Sequence, residues 1–143
     1  MRTTVSIEID APIERVWVET SDFASHHEWM GDALAIDFET DQRTGAGTVL
    51  LVETRFGPLR TLDRFTITEM VAPNLIRGVH DGHVSGSAEW SLADSSGVTT
   101  LTWREELRFP WFFGGPVGEL FAKPIFLAMW RRNLRRLKAR LES

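Results

Sequence analysis

Cysteine is absent from these 143 residues, which excludes a disulfide framework, a Cys-ligated metal site and a thiol nucleophile. An unbroken hydrophobic run is missing too. The most apolar stretch, Phe109 to Trp130, approaches the roughly 20 residues a bilayer crossing needs. It is interrupted by Glu119, Lys123, three prolines and three glycines. Those residues argue against an integral membrane segment, leave room for transient membrane contact through Trp111, Phe112 and Phe113, and suit the rim of a pocket. The first residues pass at once into the alternation Val5, Ile7, Ile9 with no apolar h-region, so no signal peptide is expected and the cytoplasm is the expected compartment. No glycine-rich phosphate loop leads from a strand into a helix, and no G-x-S-x-G elbow occurs. Neither a nucleotide site nor a serine nucleophile is supported.

With 43% hydrophobic and 25% charged residues, the composition is that of an ordinary globular domain, and residues 1–143 read as a single one. Charge is unevenly spread. Residues 131–143 carry six cations against Glu142, a net +5, which leaves −9 for the remainder of a chain whose total is −4. The basic cluster raises a nucleic-acid reading. An acidic remainder that repels phosphate, and the match of cations to a helix C-terminus, favour a solvated helix face, and no nucleic-acid partner is expected.

Residues 3–9 alternate as a half-buried strand. Pro12 with Ile13, Val16 and Trp17 at helical spacing then marks a short helix capped by Asp10 or Ala11. A second short helix spans Ser21 to Gly31, anchored by Phe23 and Trp29. Six strands follow, near 33–41, 47–56, 59–70, 74–80, 83–93 and 98–109. The Gly57-Pro58 turn pairs Phe56 with Leu59, Thr54 with Thr61, Val52 with Asp63 and Leu50 with Phe65. Asp81-Gly82, read as a two-residue turn, pairs His80 with His83, Val79 with Val84, Arg77 with Gly86 and Leu75 with Ala88. That register turns Leu75, Arg77, Val79, Val84, Ala88, Trp90 and Leu92 inward and both histidines outward. In the last strand Leu101, Trp103, Glu105, Leu107 and Phe109 share the core side. Beyond Pro110 a helix forms around Pro116, with Pro124 as a kink or as the start of its regular part. Its inner stripe is Leu120, Phe121, Ile125, Phe126, Met129, Trp130, Leu134, Leu137 and Leu141.

This order resembles the START-like, helix-grip superfamily, also called SRPBCC or polyketide cyclase/dehydrase-like. The residues that carry the resemblance are the opening Val5-Ser-Ile-Glu-Ile-Asp-Ala-Pro-Ile-Glu-Arg-Val-Trp17, Trp29, the Gly45-Ala-Gly47-Thr turn and Gly86-Ser-Ala-Glu-Trp90. None is a catalytic signature, so fold is better supported than reaction. The resemblance implies an α+β fold: a seven-stranded antiparallel sheet wrapped around a long C-terminal helix, with two short helices after the first strand. It further implies an elongated apolar cavity that holds lipids, sterols, hormones or aromatic polyketides, in enzymes, carriers and co-chaperone-like modules alike.

The inward polar residues are then the candidates for chemistry. Asp63 and Glu105 would move a proton at carbon while Arg77 anchors a ligand carbonyl or carboxylate, as a cyclisation, dehydration or isomerisation requires. Alternatively Arg77 makes a cross-strand ion pair with one of them, or a bulge turns one outward. Thr54, Thr61, Phe65, Trp90, Trp103, Phe121, Phe126 and Trp130 would complete the ligand-binding wall. His26 with His27, and His80 with His83, lack a third ligand and read as surface residues, so no metal and no cofactor is expected. The expected function is binding of a small hydrophobic molecule by a monomer or homodimer. A cofactor-independent cyclase/dehydratase and a co-chaperone-like protein-binding module are the alternatives.

Overall fold

The computed structural model describes residues 1–56 and 58–143. Strand β1 (Arg2–Ile9) is followed by helix α1 (Ile13–Ser21) and a 3₁₀ helix, Phe23–Glu28. Then come β2 (Ala33–Phe38), β3 (Val49–Phe56), β4 (Leu59–Val71), β5 (Leu75–Gly82), β6 (Ser85–Ser95) and β7 (Val98–Arg108). A short 3₁₀ helix, Trp111–Phe113, leads into helix α2 (Gly115–Glu142). All neighbours in the sheet are antiparallel, in the order β1-β7-β6-β5-β4-β3-β2. The first strand therefore closes on the last, and the curved sheet wraps α2.

Helix α1 starts where expected, but its cap is Pro12, with no side-chain bond to the first turn. Alternation in β1 buries Val5 and Ile9 beneath α2. These pack with Val16, Trp29, Leu101, Leu134 and Leu137 in the main core. A smaller core of Phe23, Leu50, Ile67 and Ile76 lies under the 3₁₀ helix.

The β3–β4 register is the expected one, with Phe56 opposite Leu59, Thr54 opposite Thr61, Val52 opposite Asp63 and Leu50 opposite Phe65. Gly57, the first residue of the turn assigned there, lies outside the described residues.

The β5–β6 register differs from expectation by three residues. Asp81 and Gly82 do not form the turn. They continue β5 and pair with Arg64 and Asp63 of β4, and pairing with β6 begins at His80 opposite Gly86. An odd shift reverses the parity of β5 relative to β6. Ile76 and His80 thus turn inward, while Arg77 and Val79 turn out. The shift has an evident energetic reason. It seats Ile76 in the smaller core and leaves Arg77 half-exposed between Glu69 (2.8 Å) and Glu89 (3.1 Å), instead of desolvating a guanidinium with no designed partner.

Helix α2 is continuous through Pro124 and buries Phe126, Trp130, Asn133, Leu134, Leu137 and Leu141. The first half of the expected inner stripe is corrected, because Leu120, Phe121 and Ile125 are exposed. The inward position in that turn is held by Glu119, which accepts from the Met1 ammonium at 2.6 Å and from the Phe109 N–H at 3.4 Å. At 100° per residue Leu120, Phe121 and Ile125 lie roughly 80–180° around the helix from Phe126 and Trp130, so both sets cannot be centred on the sheet.

Candidate functional site: a cavity with a buried acid–base pair

Between the concave face of the sheet, the 3₁₀ helix Phe23–Glu28 and α2 lies a cavity of about 130 Å³. Apolar cavities of about 150 Å³ take up benzene, so the space matches one aromatic ring or the end of a longer molecule. One wall is an aromatic series. The His26 ring stacks on Trp90 at 5.0 Å, Trp90 meets Trp103 edge-on at 5.2 Å, and Trp103 stacks on Trp130 at 5.0 Å. Phe126 continues it, parallel to Trp130 at 5.4 Å. The indole N–H of Trp103 is buried with no acceptor among the described residues.

The opposite wall carries the charge. Glu105, on β7, faces inward beside Ala88 of β6 and is 6% exposed. His80 donates from Nε2 to Glu105 Oε1 at 2.7 Å, and its ring lies against Phe65 at 4.7 Å. Asp63 is also buried and accepts from the Val84 N–H at 3.2 Å. Burial alone would lower the His80 pKa. The hydrogen bond and charge of Glu105, helped by the charge of Asp63, outweigh it and hold the pKa above the ordinary 6.5. A protonatable imidazole and two carboxylates thus share one side of an apolar cavity, the composition that general acid–base chemistry uses.

His26 has the opposite character. Its Nε2 lies 2.8 Å from the Thr20 carbonyl, which can only accept, so Nε2 carries the hydrogen and Nδ1 is left as the acceptor. Burial lowers its pKa to about 4, against a smaller upward pull from that bond. The ring is neutral at pH 7. At the cavity edge Asp32 accepts from Asn133 Nδ2 at 2.6 Å. Burial raises its pKa, partly offset by that bond.

Of the residues expected at the site, Asp63, Glu105, Thr54, Phe65, Trp90, Trp103, Phe126 and Trp130 all line the cavity. Thr61 is buried on the same face, its hydroxyl without a partner among the described residues, but it does not line the cavity. Arg77 is corrected: it lies on the outer face with Glu69 and Glu89, so it cannot anchor a ligand inside. Phe121 is corrected as well, being 73% exposed on the outer side of α2. His26 and His80, read as surface residues, are cavity residues, whereas His27 and His83 are exposed. For His26 the signal was available, since it shares the helical face of Phe23. His80 depended on the register of β5. Among the described residues no three His, Asp or Glu side chains are grouped to hold a metal, and no helix is long and apolar enough to cross a membrane.

A sheet gripping one long helix around a ligand-sized cavity defines the START-like, helix-grip class. Residues 1–142 match the family model described as polyketide cyclase / dehydrase and lipid transport, and the chain belongs to that family. Solved structures agree in fold. A protein from Thermus thermophilus superposes with a TM-score of 0.83 at 15% identity, covering 99% of this chain and 97% of that one. A START superfamily protein from Mycobacterium smegmatis gives 0.79 at 15%, covering 99% and 97%. The di-domain ARO/CYC StfQ of the steffimycin biosynthetic pathway gives 0.80 at 12%, covering 99% of this chain and 50% of that one. No curated protein matches the sequence.

Proposed function

We propose that this protein binds a small hydrophobic molecule, ring-containing at the end it buries, in the cavity between the sheet and α2. The observation that carries this reading is the cavity wall itself, an unbroken run of rings from His26 through Trp90, Trp103 and Trp130 to Phe126. Flat faces of this kind suit an aromatic or polyketide-like ligand. The unpaired Trp103 N–H would donate to a ligand carbonyl or hydroxyl, and the neutral His26 would accept from a hydroxyl.

A second reading, a cofactor-independent cyclase or dehydratase, is favoured by the His80–Glu105 pair beside Asp63. In the enolisation that begins such chemistry, the Asp63 carboxylate takes a proton from carbon. His80 gives its proton to the carbonyl oxygen, and Glu105 stabilises the imidazolium beforehand. The C–H electron pair becomes the C=C bond of a neutral enol, so charge and protons balance.

Native mass spectrometry of gently purified protein, followed by organic extraction, tests the binding reading. A stoichiometric small-molecule adduct is expected. No adduct, together with no thermal shift across lipids, aromatics and polyketides, would overturn it. Asp63→Asn and Glu105→Gln then separate the two readings: an enzyme loses turnover with affinity within about tenfold, whereas a carrier changes only in affinity.

A further inference from the structure

Six large apolar side chains on one part of the surface are not used by the core. Trp111 is 87% exposed, Phe112 55%, Val117 63%, Leu120 72%, Phe121 73% and Ile125 62%. They fall within residues 111–125. Val117, Leu120, Phe121 and Ile125 share the outer face of α2 at helical spacing, and Trp111 and Phe112, in mutual edge contact at 5.7 Å, precede them. Exposed apolar residues scattered singly need no explanation, but a connected patch marks an interaction surface.

The charge farther along the same helix indicates the partner. Arg131, Arg132 and Arg135 succeed the apolar patch. Among the described residues none of them has an ion-pair partner, whereas Lys138 is paired with Glu142, and Arg140 with Glu19 and Glu28. Between Phe109 and Leu141 the only carboxylate is Glu119, and it is turned inward onto Met1. The face therefore runs from an apolar end to uncompensated positive charge, with no acid exposed between them.

We infer that this face of α2 docks on an anionic lipid bilayer, with the Trp111–Ile125 end in the headgroup and upper acyl region and the arginines at the phosphates. The dimensions fit. At 1.5 Å per residue, Ile125 lies about 9 Å along the helix from Arg131, so a helix inclined to the surface sets its apolar end deeper than the arginines. A second copy of the chain fits less well, because between Phe109 and Leu141 its helix offers these arginines no exposed carboxylate. Phe126 and Trp130, on the opposite side of α2, line the cavity, so docking would bring the cavity's covering helix to the membrane.

Cosedimentation with vesicles of phosphatidylcholine, alone or mixed with phosphatidylglycerol, tests the inference. Binding is expected to the mixed vesicles only, to weaken with salt, and to be accompanied by quenching of Trp111 by brominated lipid that is lost in Trp111→Phe. The Leu120→Ser/Phe121→Ser variant should lose binding by at least about tenfold, and Arg131→Glu/Arg132→Glu by roughly fivefold or more per charge removed. All four positions are exposed, and an unchanged melting temperature checks that the fold is intact. Three results would overturn the inference: no binding, equal binding to neutral vesicles, or a dimer in sedimentation velocity that Leu120→Ser/Phe121→Ser makes monomeric. The cavity adduct is measured without lipid, so failure here is distinguishable from failure of ligand binding.

Discussion

His80 and Glu105 meet at 2.7 Å across an intervening strand. β6 separates β5 from β7, and its residues at that level are Gly86 and Ala88. With no larger side chain in the way, the imidazole of one strand reaches the carboxylate two strands over. Removing that carboxylate should be legible at the histidine. In Glu105→Gln the charge that raises the His80 pKa disappears, and the value should fall, followed by the His80 ring resonances in an NMR titration. Because the wild-type value is raised above 6.5, the stability contributed by the pair is fully present below pH 6.5 and lost as pH rises through the folded-state value. The difference between wild type and Glu105→Gln should therefore be greatest at mildly acid pH.

His26 works in the opposite direction. Its folded-state pKa of about 4 means that, as pH falls from 6.5, the unfolded chain takes up a proton that the folded protein refuses. Stability is lost between those values and levels off below about 4. Between pH 7 and pH 5 this linkage amounts to about 2 kcal/mol. Urea unfolding of His26→Gln at the two pH values should show that much less acid sensitivity than wild type.

Filling the cavity should separate binding from folding. Ile36 lines it from β2, away from the His80–Glu105 pair. Ile36→Phe should lower ligand affinity at least about tenfold, read by titration of the extracted ligand, at a stability cost of no more than about 1–3 kcal/mol.

Gly86 has φ +145°, and a Cβ there would lie 1.8 Å from the Glu106 carbonyl oxygen. Gly86→Ala should therefore part β6 from β7 at the level of the His80–Glu105 pair. The backbone strain alone is worth about 1–3 kcal/mol, and the clash adds to it. Denaturant midpoints should show the loss, and a His80 pKa that drops with it would tie the pairing to the sheet geometry.

The cavity was largely legible in the chain. Alternation along β7 is unambiguous over its length, which placed Trp103, Glu105 and Leu107 on one face. The β3–β4 pairing followed from its short connection and put Asp63 and Phe65 beside them. Trp90, Phe126 and Trp130 followed from the same periodicities. Arg77 and His80 exchange faces because Asp81-Gly82 satisfies the local rule for a tight turn, whereas in the fold both residues continue β5 and pair with β4. Local turn chemistry is worth less than seating Ile76 in the core and pairing Arg77 with Glu69 and Glu89.

Helix α2 illustrates the same limit. Its apolar residues before Pro124 occur on more than one side, so periodicity alone could not choose its rotation. Contacts from β1 and β7 chose it, turning Glu119 inward and leaving Phe121 in solvent. By itself the sequence determined the side-chain parity of β1, β3, β4, β6 and β7, the order of elements and the aromatic character of the cavity, because these depend on residues near one another in the chain. Only the tertiary structure decided how β5 registers on β6 and which face α2 presents. Those choices rest on partners distant in sequence, where burying an unpaired charge costs more than any local preference returns.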